Sequence, residues 1–281
     1  MNPKTRAPGL RRLTSLTIAA VLGLAILAPV ALAGTAPEPV SAAAMTAAEK
    51  AMVAALNADR AALGLVAVQV DARLMAVARA RSVDMATKGY FSHTQPDGRN
   101  VFSLLTAQPI TWYNAGEIIA WNNYPMDSTV STANRQWMNS AGHKAIIIST
   151  DFNYVGVGLA LDPATGKKLW TAVYIKGPDR TGARATVTGA ALRAGPTAST
   201  RYTKLTWSGY DPKLQVLTAG LASFSVQRRV DGGAWTTAVT STTYTSTSFK
   251  VVIGHVSEFR VAARDKKGNQ GAWSTRVIDL R

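Results

Sequence analysis

The chain has 281 residues, of which 47% are hydrophobic and 17% are charged. This composition is typical of a folded globular protein and excludes a disordered or fibrous chain. The absence of cysteine excludes disulfide bonds, thiolate chemistry and a lipid anchor on cysteine. The net charge of +15 favours anionic partners.

The N-terminal sequence predicts a secretory signal peptide over residues 1–33. Basic residues precede an apolar run over residues 16–30, and Ala31-Leu32-Ala33 provides the small residues that a signal peptidase reads. This run is short for a membrane anchor, because a helix that spans a bilayer needs about 20 apolar residues. We therefore expect a secreted, extracellular protein with no transmembrane segment in the mature chain. A flexible leader rich in proline and alanine is expected over residues 34–45.

Residues 46–180 predict a domain of helices followed by a β-hairpin. Thr46 and Glu49 form a T-x-x-E capping box for the first helix. Asp71 is the candidate N-cap of the second helix, and Gly89 ends it. Helices on both faces of a small antiparallel sheet would bury the apolar stripes of this domain. The remaining predicted elements are helices at 99–105 and 127–138 and strands at 154–161 and 169–175.

The helical periodicity disappears after residue 180. Short alternating runs replace it, separated by turn sequences such as Asp231-Gly232-Gly233. This pattern predicts a smaller, all-β, immunoglobulin-like sandwich over residues 192–281, joined to the first domain by a linker at residues 181–191. From residue 181 onward, 14 basic residues face 5 acidic ones. An anionic cell-envelope polymer, a polysaccharide or a lipid headgroup is the expected partner, whereas no nucleic-acid motif accompanies the charge.

Two histidines and one glutamate are the candidate metal ligands. His93 and His143 lie in polar, glycine-flanked sequence, and Glu117 enters an apolar run. Two imidazoles and a carboxylate suffice to hold a divalent cation, and zinc suits them best. Their spacing is not a local metal-binding signature, so the sequence leaves their convergence open. The alternative is a structural role in which all three residues brace their loops.

Several serine and tryptophan residues are further candidates for this site. Ser92 and Ser140 flank the histidines, although the sequence does not establish a Ser-His-Asp triad. Trp112 and Trp121 are candidates to line a ligand groove. Trp137 lies on an apolar helix face and is expected in the core.

Residues 46–177 resemble the CAP superfamily, which is named for cysteine-rich secretory, antigen five and pathogenesis-related proteins, and in particular its bacterial SCP-like branch. The resemblance implies an α/β/α sandwich whose open cleft is lined by His93, Glu117 and His143 and can hold a divalent metal. The matching segments are GYFSHTQPDGRNVFSLL at 89–105, AGEIIA at 115–120, QWMNSAGHKAIIIS at 136–149 and DFNYVGVGLA at 151–160.

Three positions depart from the family pattern. Ser140 stands where the fuller family site has a second glutamate, and Ile118 and Ile146 replace asparagines of the bacterial relatives. If Glu117 is a metal ligand, no carboxylate remains to activate a water molecule for hydrolysis. The sequence therefore favours a binding protein over an enzyme.

Three functions follow from these observations. The first is a secreted, non-catalytic binding protein whose cleft takes a lipid, a peptide or a surface partner. The second is a zinc-dependent extracellular hydrolase, a peptidase or esterase, that uses the same cleft. The third is cell-wall adhesion through the C-terminal domain, which resembles a fibronectin type III module. The basic residues for adhesion are Arg228, Arg229, Lys266 and Lys267.

Overall fold

The structure, a computed structural model, describes residues 42–281, with side-chain environments from residue 46 onward. The signal peptide expected over residues 1–33 lies outside the described residues, as does the leader up to residue 41. Among the residues described, no helix has the length and apolar composition that crossing a bilayer requires.

The described chain forms a mixed part followed by an all-β part. The helices are α1 (Ala42–Ala61), α2 (Ala72–Lys88), α3 (Val101–Thr106), α4 (Thr129–Asn139) and α5 (Ala141–Ile147). The strands of the first part are β1 (Gln69–Val70), β2 (Asn114–Asn122), β3 (Tyr154–Leu161) and β4 (Lys168–Lys176). The strands of the second part are β5 (Arg184–Ala194), β6 (Thr200–Tyr210), β7 (Leu221–Val230), β8 (Thr236–Thr242), β9 (Ser246–Val252), β10 (Val256–Asp265) and β11 (Ser274–Asp279).

The first part is a sheet covered by helices on both faces. Its strand order is β1-β3-β4-β2, with β1 parallel to β3 and the other neighbours antiparallel. Helices α1, α4 and α5 enclose one apolar core with the sheet, and α2 and α3 enclose another. The predicted α/β/α sandwich is therefore confirmed.

Two glycines of β3 allow α2 to lie directly on the sheet. A Cβ atom added at Gly156 would lie 2.1 Å from the backbone carbonyl carbon of Leu74, and one added at Gly158 would lie 2.2 Å from the backbone nitrogen of Arg79. Both distances are far below van der Waals contact, so no other residue fits at either position without moving the helix. This close approach fixes the position of α2, which carries the central residue of the candidate site.

The structure corrects three boundaries. Helix α1 begins at Ala42 because alanine strongly favours a helix, so the leader predicted to reach residue 45 ends earlier. The linker predicted at residues 181–191 is wrong for most of its length, because β5 begins at Arg184 and pairs with β6 along its whole length. Residues 141–147 form α5, although no helix was predicted there.

The second part is a β-sandwich, as predicted. Its two sheets have the strand orders β11-β10-β7-β8 and β5-β6-β9. Aromatic residues of both sheets fill the space between them, with the rings of Phe249 and Phe259 4.8 Å apart and those of Trp207 and Phe224 6.2 Å apart. The assignment to the fibronectin type III class stays a prediction.

The segment between β6 and β7 anchors the second part to the first. Leu214 is only 1% exposed and belongs to the core beneath α2 and α3. The side-chain oxygen of Gln215 accepts a hydrogen bond of 2.7 Å from the backbone of Val66, and the amide of Asn153 donates to the carbonyl of Val216. The described residues, 42–281, consequently belong to one compact unit.

The close approach of α2 to β3 gives a direct test. We expect Gly158→Ala to lower the free energy of unfolding by about 3 kcal/mol, because the new methyl group overlaps the helix backbone. Gly142→Ala is the matched control: nothing lies within 4 Å of its added Cβ, so we expect a change below about 1 kcal/mol. Urea unfolding followed by circular dichroism measures both, and equal effects would contradict the proposed contact.

Candidate functional site

The candidate site is built around a buried ion pair between α2 and β2. Arg81 lies on the inward face of α2 and Glu117 on β2, with side chains 0% and 3% exposed. The Nε of Arg81 donates to Oε1 of Glu117 over 2.8 Å. Burial of either charge alone would cost several kcal/mol, so each residue depends on the other.

Arg81 also holds the loop that follows α2. Its Nη1 donates to the hydroxyl of Tyr90 over 2.8 Å, and its Nη2 donates to the carbonyl of Ser92 over 2.7 Å. The hydroxyl of Tyr90 in turn donates to Asp84, which also pairs with Lys88. Burial raises the pKa of Asp84, but the hydrogen bonds from Lys88 and Tyr90 outweigh burial and lower this pKa to about 2. The loop is therefore tied to the helix through charged hydrogen bonds.

The second carboxylate oxygen of Glu117 binds His93. Its Oε2 lies 2.7 Å from Nδ1 of the imidazole, whose side chain is 55% exposed. Because an ionised carboxylate only accepts hydrogen bonds, Nδ1 of His93 carries the proton that is shared in this pair. The two residues line a hollow of about 350 Å³ together with Asn100, Phe102 and Ile146.

His143 lines a second hollow, of about 410 Å³. It lies on α5. The other residues that line this hollow include Phe91, Trp121, Tyr124 and Ser140. Burial lowers the pKa of His143, and the charge of His93 lowers this pKa further. Both hollows border the same two elements, because Glu117 of β2 and Ile146 of α5 line the first, whereas Ile119 of β2 and His143 of α5 line the second. The fold thus brings His93 and Glu117 into contact and places His143 nearby.

The predicted zinc ligands do not fit a three-ligand metal centre in this arrangement. Both oxygens of Glu117 are already engaged, by Arg81 and by His93. Among the described residues, three aspartates have potential ligand atoms that all lie within 4.8 Å of one another. These aspartates do not include any of the predicted zinc ligands. We therefore assign no metal-dependent step to His93, Glu117 and His143.

The three aspartates form an acidic cluster, with one member just before β5 and two within the second part. Its members are Asp179, Asp211 and Asp265, which are far apart in the sequence and carry no local motif. Burial raises the pKa of Asp211, and the charges of Asp179 and Asp265 raise this pKa further. The sequence gives no signal for this cluster, because its members meet only through tertiary folding.

The serine and tryptophan residues that the sequence offered as further candidates lie in different places, and only some of them line a hollow. Ser92 serves the loop, since its carbonyl accepts from Arg81 and its hydroxyl accepts from the backbone of Thr94. Ser140 lines the hollow of His143, whereas Trp112 packs against Phe102 with ring centroids 6.4 Å apart and lines neither hollow. Trp137 is fully buried, as expected for a core residue.

Comparison with known proteins identifies the first part of the chain. Residues 53–174 match the model of the CAP family, described as the cysteine-rich secretory protein family, so this segment is a CAP domain and the predicted resemblance is confirmed. The chain is 35% identical over 127 residues to the uncharacterized protein YkwD of Bacillus subtilis (strain 168), covering 45% of this chain and 46% of that protein. It is 29% identical over 131 residues to the uncharacterized membrane protein YlbC of the same organism, covering 47% of this chain and 35% of that protein. The chain thus spans less than half the length of these relatives.

Solved structures with similar domains come from other bacteria. An extracellular protein containing an SCP domain from Bacillus anthracis str. Ames is 26% identical, with 49% of this chain and 44% of that chain covered and a TM-score of 0.43. An outer surface protein from Borrelia burgdorferi is 19% identical, with 47% of this chain and 95% of that chain covered and a TM-score of 0.42.

The buried ion pair predicts a large loss of stability when its cation is removed. We expect Arg81→Met to lower the free energy of unfolding by about 3–5 kcal/mol, because Glu117 is left buried and uncompensated. The double substitution Arg81→Met with Glu117→Gln should recover part of this loss, as denaturant unfolding would show. Arg99→Met is the control: it removes an arginine that is 57% exposed, so the change should stay below about 1 kcal/mol. A similar loss in both single variants would contradict the ion-pair interpretation.

The coupling between the two imidazoles predicts a pH titration. We expect the pKa of His143, measured by NMR of its ring protons, to lie below 6.5, and His93→Gln to raise it by removing a nearby positive charge. Because the folded state resists protonation of His143, its contribution to stability is present at neutral pH and is lost as the pH falls below 6.5. His255, in the second part, provides an internal reference signal. An unchanged His143 titration in the His93 variant would show that the two rings do not interact.

Proposed function

We propose that this protein is an extracellular binding protein whose CAP domain holds an extended ligand of the cell envelope without cleaving it. The ligand is a peptide or glycan that lies across the hollows of His93 and His143. The observation that carries this proposal is the state of Glu117, because this carboxylate is locked between Arg81 and His93.

A locked carboxylate is a poor catalytic base. Nε of Arg81 donates to one oxygen of Glu117, and Nδ1 of His93 binds the other. Proton abstraction from a water molecule would weaken both hydrogen bonds, because a neutral carboxyl group is a poorer acceptor than a carboxylate. The pair instead holds the imidazole of His93 in one orientation, which suits recognition of a ligand.

The hollow of His143 has the surface of a binding cleft. Phe91, Trp121 and Tyr124 line it and are 46%, 40% and 51% exposed. Exposed aromatic rings that are grouped around a concavity are typical of a ligand site, whereas single exposed rings are common on any protein surface. Such rings offer apolar area to a ligand at low entropic cost. Asn123 and Gln136 add amide groups beside them, which can hydrogen-bond the hydroxyl or peptide groups of a ligand.

The expected export of the chain supports the choice of ligand. The signal peptide expected over residues 1–33 would export the chain, and the CAP domain at residues 53–174 is described as a cysteine-rich secretory type. An exported protein first meets the peptides and glycans of the cell wall. A zinc-dependent peptidase or esterase remains the competing function, and the same experiment distinguishes the two.

The experiment uses residues 34–281 and soluble muropeptides, which contain both glycan and peptide. We expect micromolar binding by calorimetry that is unchanged by EDTA, and about a tenfold weaker affinity for Trp121→Ala, since a stacked ring contributes about 1–2 kcal/mol. Tyr244→Ala is the control, because Tyr244 is 78% exposed and lies in the second part.

Mass spectrometry of the muropeptides after incubation provides the decisive second readout. The proposal requires their masses to stay unchanged. Cleavage that needs zinc and disappears in His143→Ala would replace this proposal with the hydrolase. Equal affinity of the Trp121 and Tyr244 variants would remove the cleft as the binding site.

A further inference from the structure

We propose that the outer face of the β11-β10-β7-β8 sheet is a docking surface for a phosphate-bearing polymer of the cell envelope. The surface is centred on a stack of alternating arginine and tryptophan side chains, which we call the arginine–tryptophan ladder. Its members are Arg229, Trp235, Arg260 and Trp273. This inference is independent of the CAP cleft, because the ladder belongs to the second part of the chain.

The ladder stacks cations and indole rings in alternation. The guanidinium carbon of Arg229 lies 4.6 Å from the ring centroid of Trp235, and that of Arg260 lies 4.3 Å from the same ring. Arg260 also lies 4.6 Å from the ring of Trp273. The neighbours of Arg260 on β10, Phe259 and Val261, are fully buried between the two sheets. Because side chains alternate along a strand, Arg260 projects from the opposite, outer face of the sheet.

Two sets of hydrogen bonds fix the arginines in the ladder. Nε and Nη2 of Arg229 each donate to a carboxylate oxygen of Glu258 over 2.8 Å. Nε and Nη2 of Arg260 donate to the side-chain oxygen of Gln227 over 2.9 and 2.6 Å. Among the described residues, the Nη1 groups of Arg229 and Arg260 have no hydrogen-bond acceptor. Each guanidinium is thus held rigidly with one donor group left for a ligand, which reduces the entropy lost on binding.

The surroundings of the ladder are strongly cationic. Arg264 lies four residues after Arg260 on β10 and therefore on the same side of the strand, and the turn that follows this strand carries exposed Lys266 and Lys267. Glu258 is paired with Arg229, and Asp265, beside the two lysines, is buried and hydrogen-bonded within the turn, so the exposed charge of this region is predominantly positive. Phosphate groups fit this surface well, because a guanidinium presents N–H donors in the planar geometry that phosphate oxygens accept. A polymer that repeats phosphates along its length can contact several of these cations at once.

The geometry argues against a single-stranded nucleic acid as the occupant. Proteins that bind single strands present open aromatic faces on which the bases stack. In the ladder, the guanidinium groups of Arg229 and Arg260 lie over the ring of Trp235, and Arg260 also lies over the ring of Trp273. The indole therefore orders the cations and does not offer a stacking platform, so recognition falls on the phosphate groups of the polymer.

The test measures retention of residues 34–281 on immobilised poly(glycerol phosphate). We expect Arg260→Gln combined with Arg264→Gln to weaken binding by about tenfold, and high salt to weaken binding of the unmodified protein strongly. The matched control is Arg193→Gln with Lys204→Gln. It removes the same charge from exposed positions on β5 and β6, in the opposite sheet, and should change affinity by less than about twofold.

Further variants and a second polymer distinguish specific phosphate binding from general charge attraction. Arg260→Lys keeps the charge but loses the guanidinium that Gln227 and the two indole rings hold in place, so we expect it to weaken binding as well. Equal losses in the ladder and control variants, an absence of binding, or equal affinity for duplex DNA would each overturn the proposal. Trp121→Ala should leave polymer retention unchanged, so failure of the cleft proposal and failure of the ladder proposal give different results. Thermal melting of each variant shows that the fold is retained.

Discussion

The buried pair of Arg81 and Glu117 is the interaction on which the candidate site depends. Two charges removed from water are tolerated only when they satisfy each other and when hydrogen bonds complete their remaining positions. Arg81 meets this condition by binding Glu117, Tyr90 and the carbonyl of Ser92 at once. The pair therefore joins α2, β2 and the intervening loop, and it fixes the imidazole of His93 at the rim of the hollow.

This pair also separates the site from a simple metal centre. In a metal site, the carboxylate would give its oxygens to the cation, and the cation would set the charge of the cleft. Here an internal guanidinium provides that positive charge, and the carboxylate is committed to it. The cleft consequently presents two imidazoles and a group of exposed aromatic rings.

The second part contributes more than a spacer. Leu214 and Gln215 reach from it into the first part, so the CAP domain and the sandwich share packing and hydrogen bonds within one compact unit. The basic charge of the chain is concentrated in this second part. The ladder gives that charge a fixed geometry, which an unstructured basic segment would lack. Binding in the cleft and attachment through the ladder would be two separate functions of one compact unit.

The sequence by itself determined most of the helices and strands and the sandwich, because helical and strand periodicities and turn residues are local signals. The motif segments carried the CAP resemblance, which implied a cleft with His93 and Glu117, whereas the spacing of these residues left their convergence open and secretion stays a prediction. Only the tertiary structure decided the partner of Arg81, which in the sequence is one more position of the α2 stripe. The strand at 184–194, the ladder and the acidic cluster were likewise invisible. Each depends on groups that are distant in the chain, and pairing at a distance leaves no pattern in neighbouring residues.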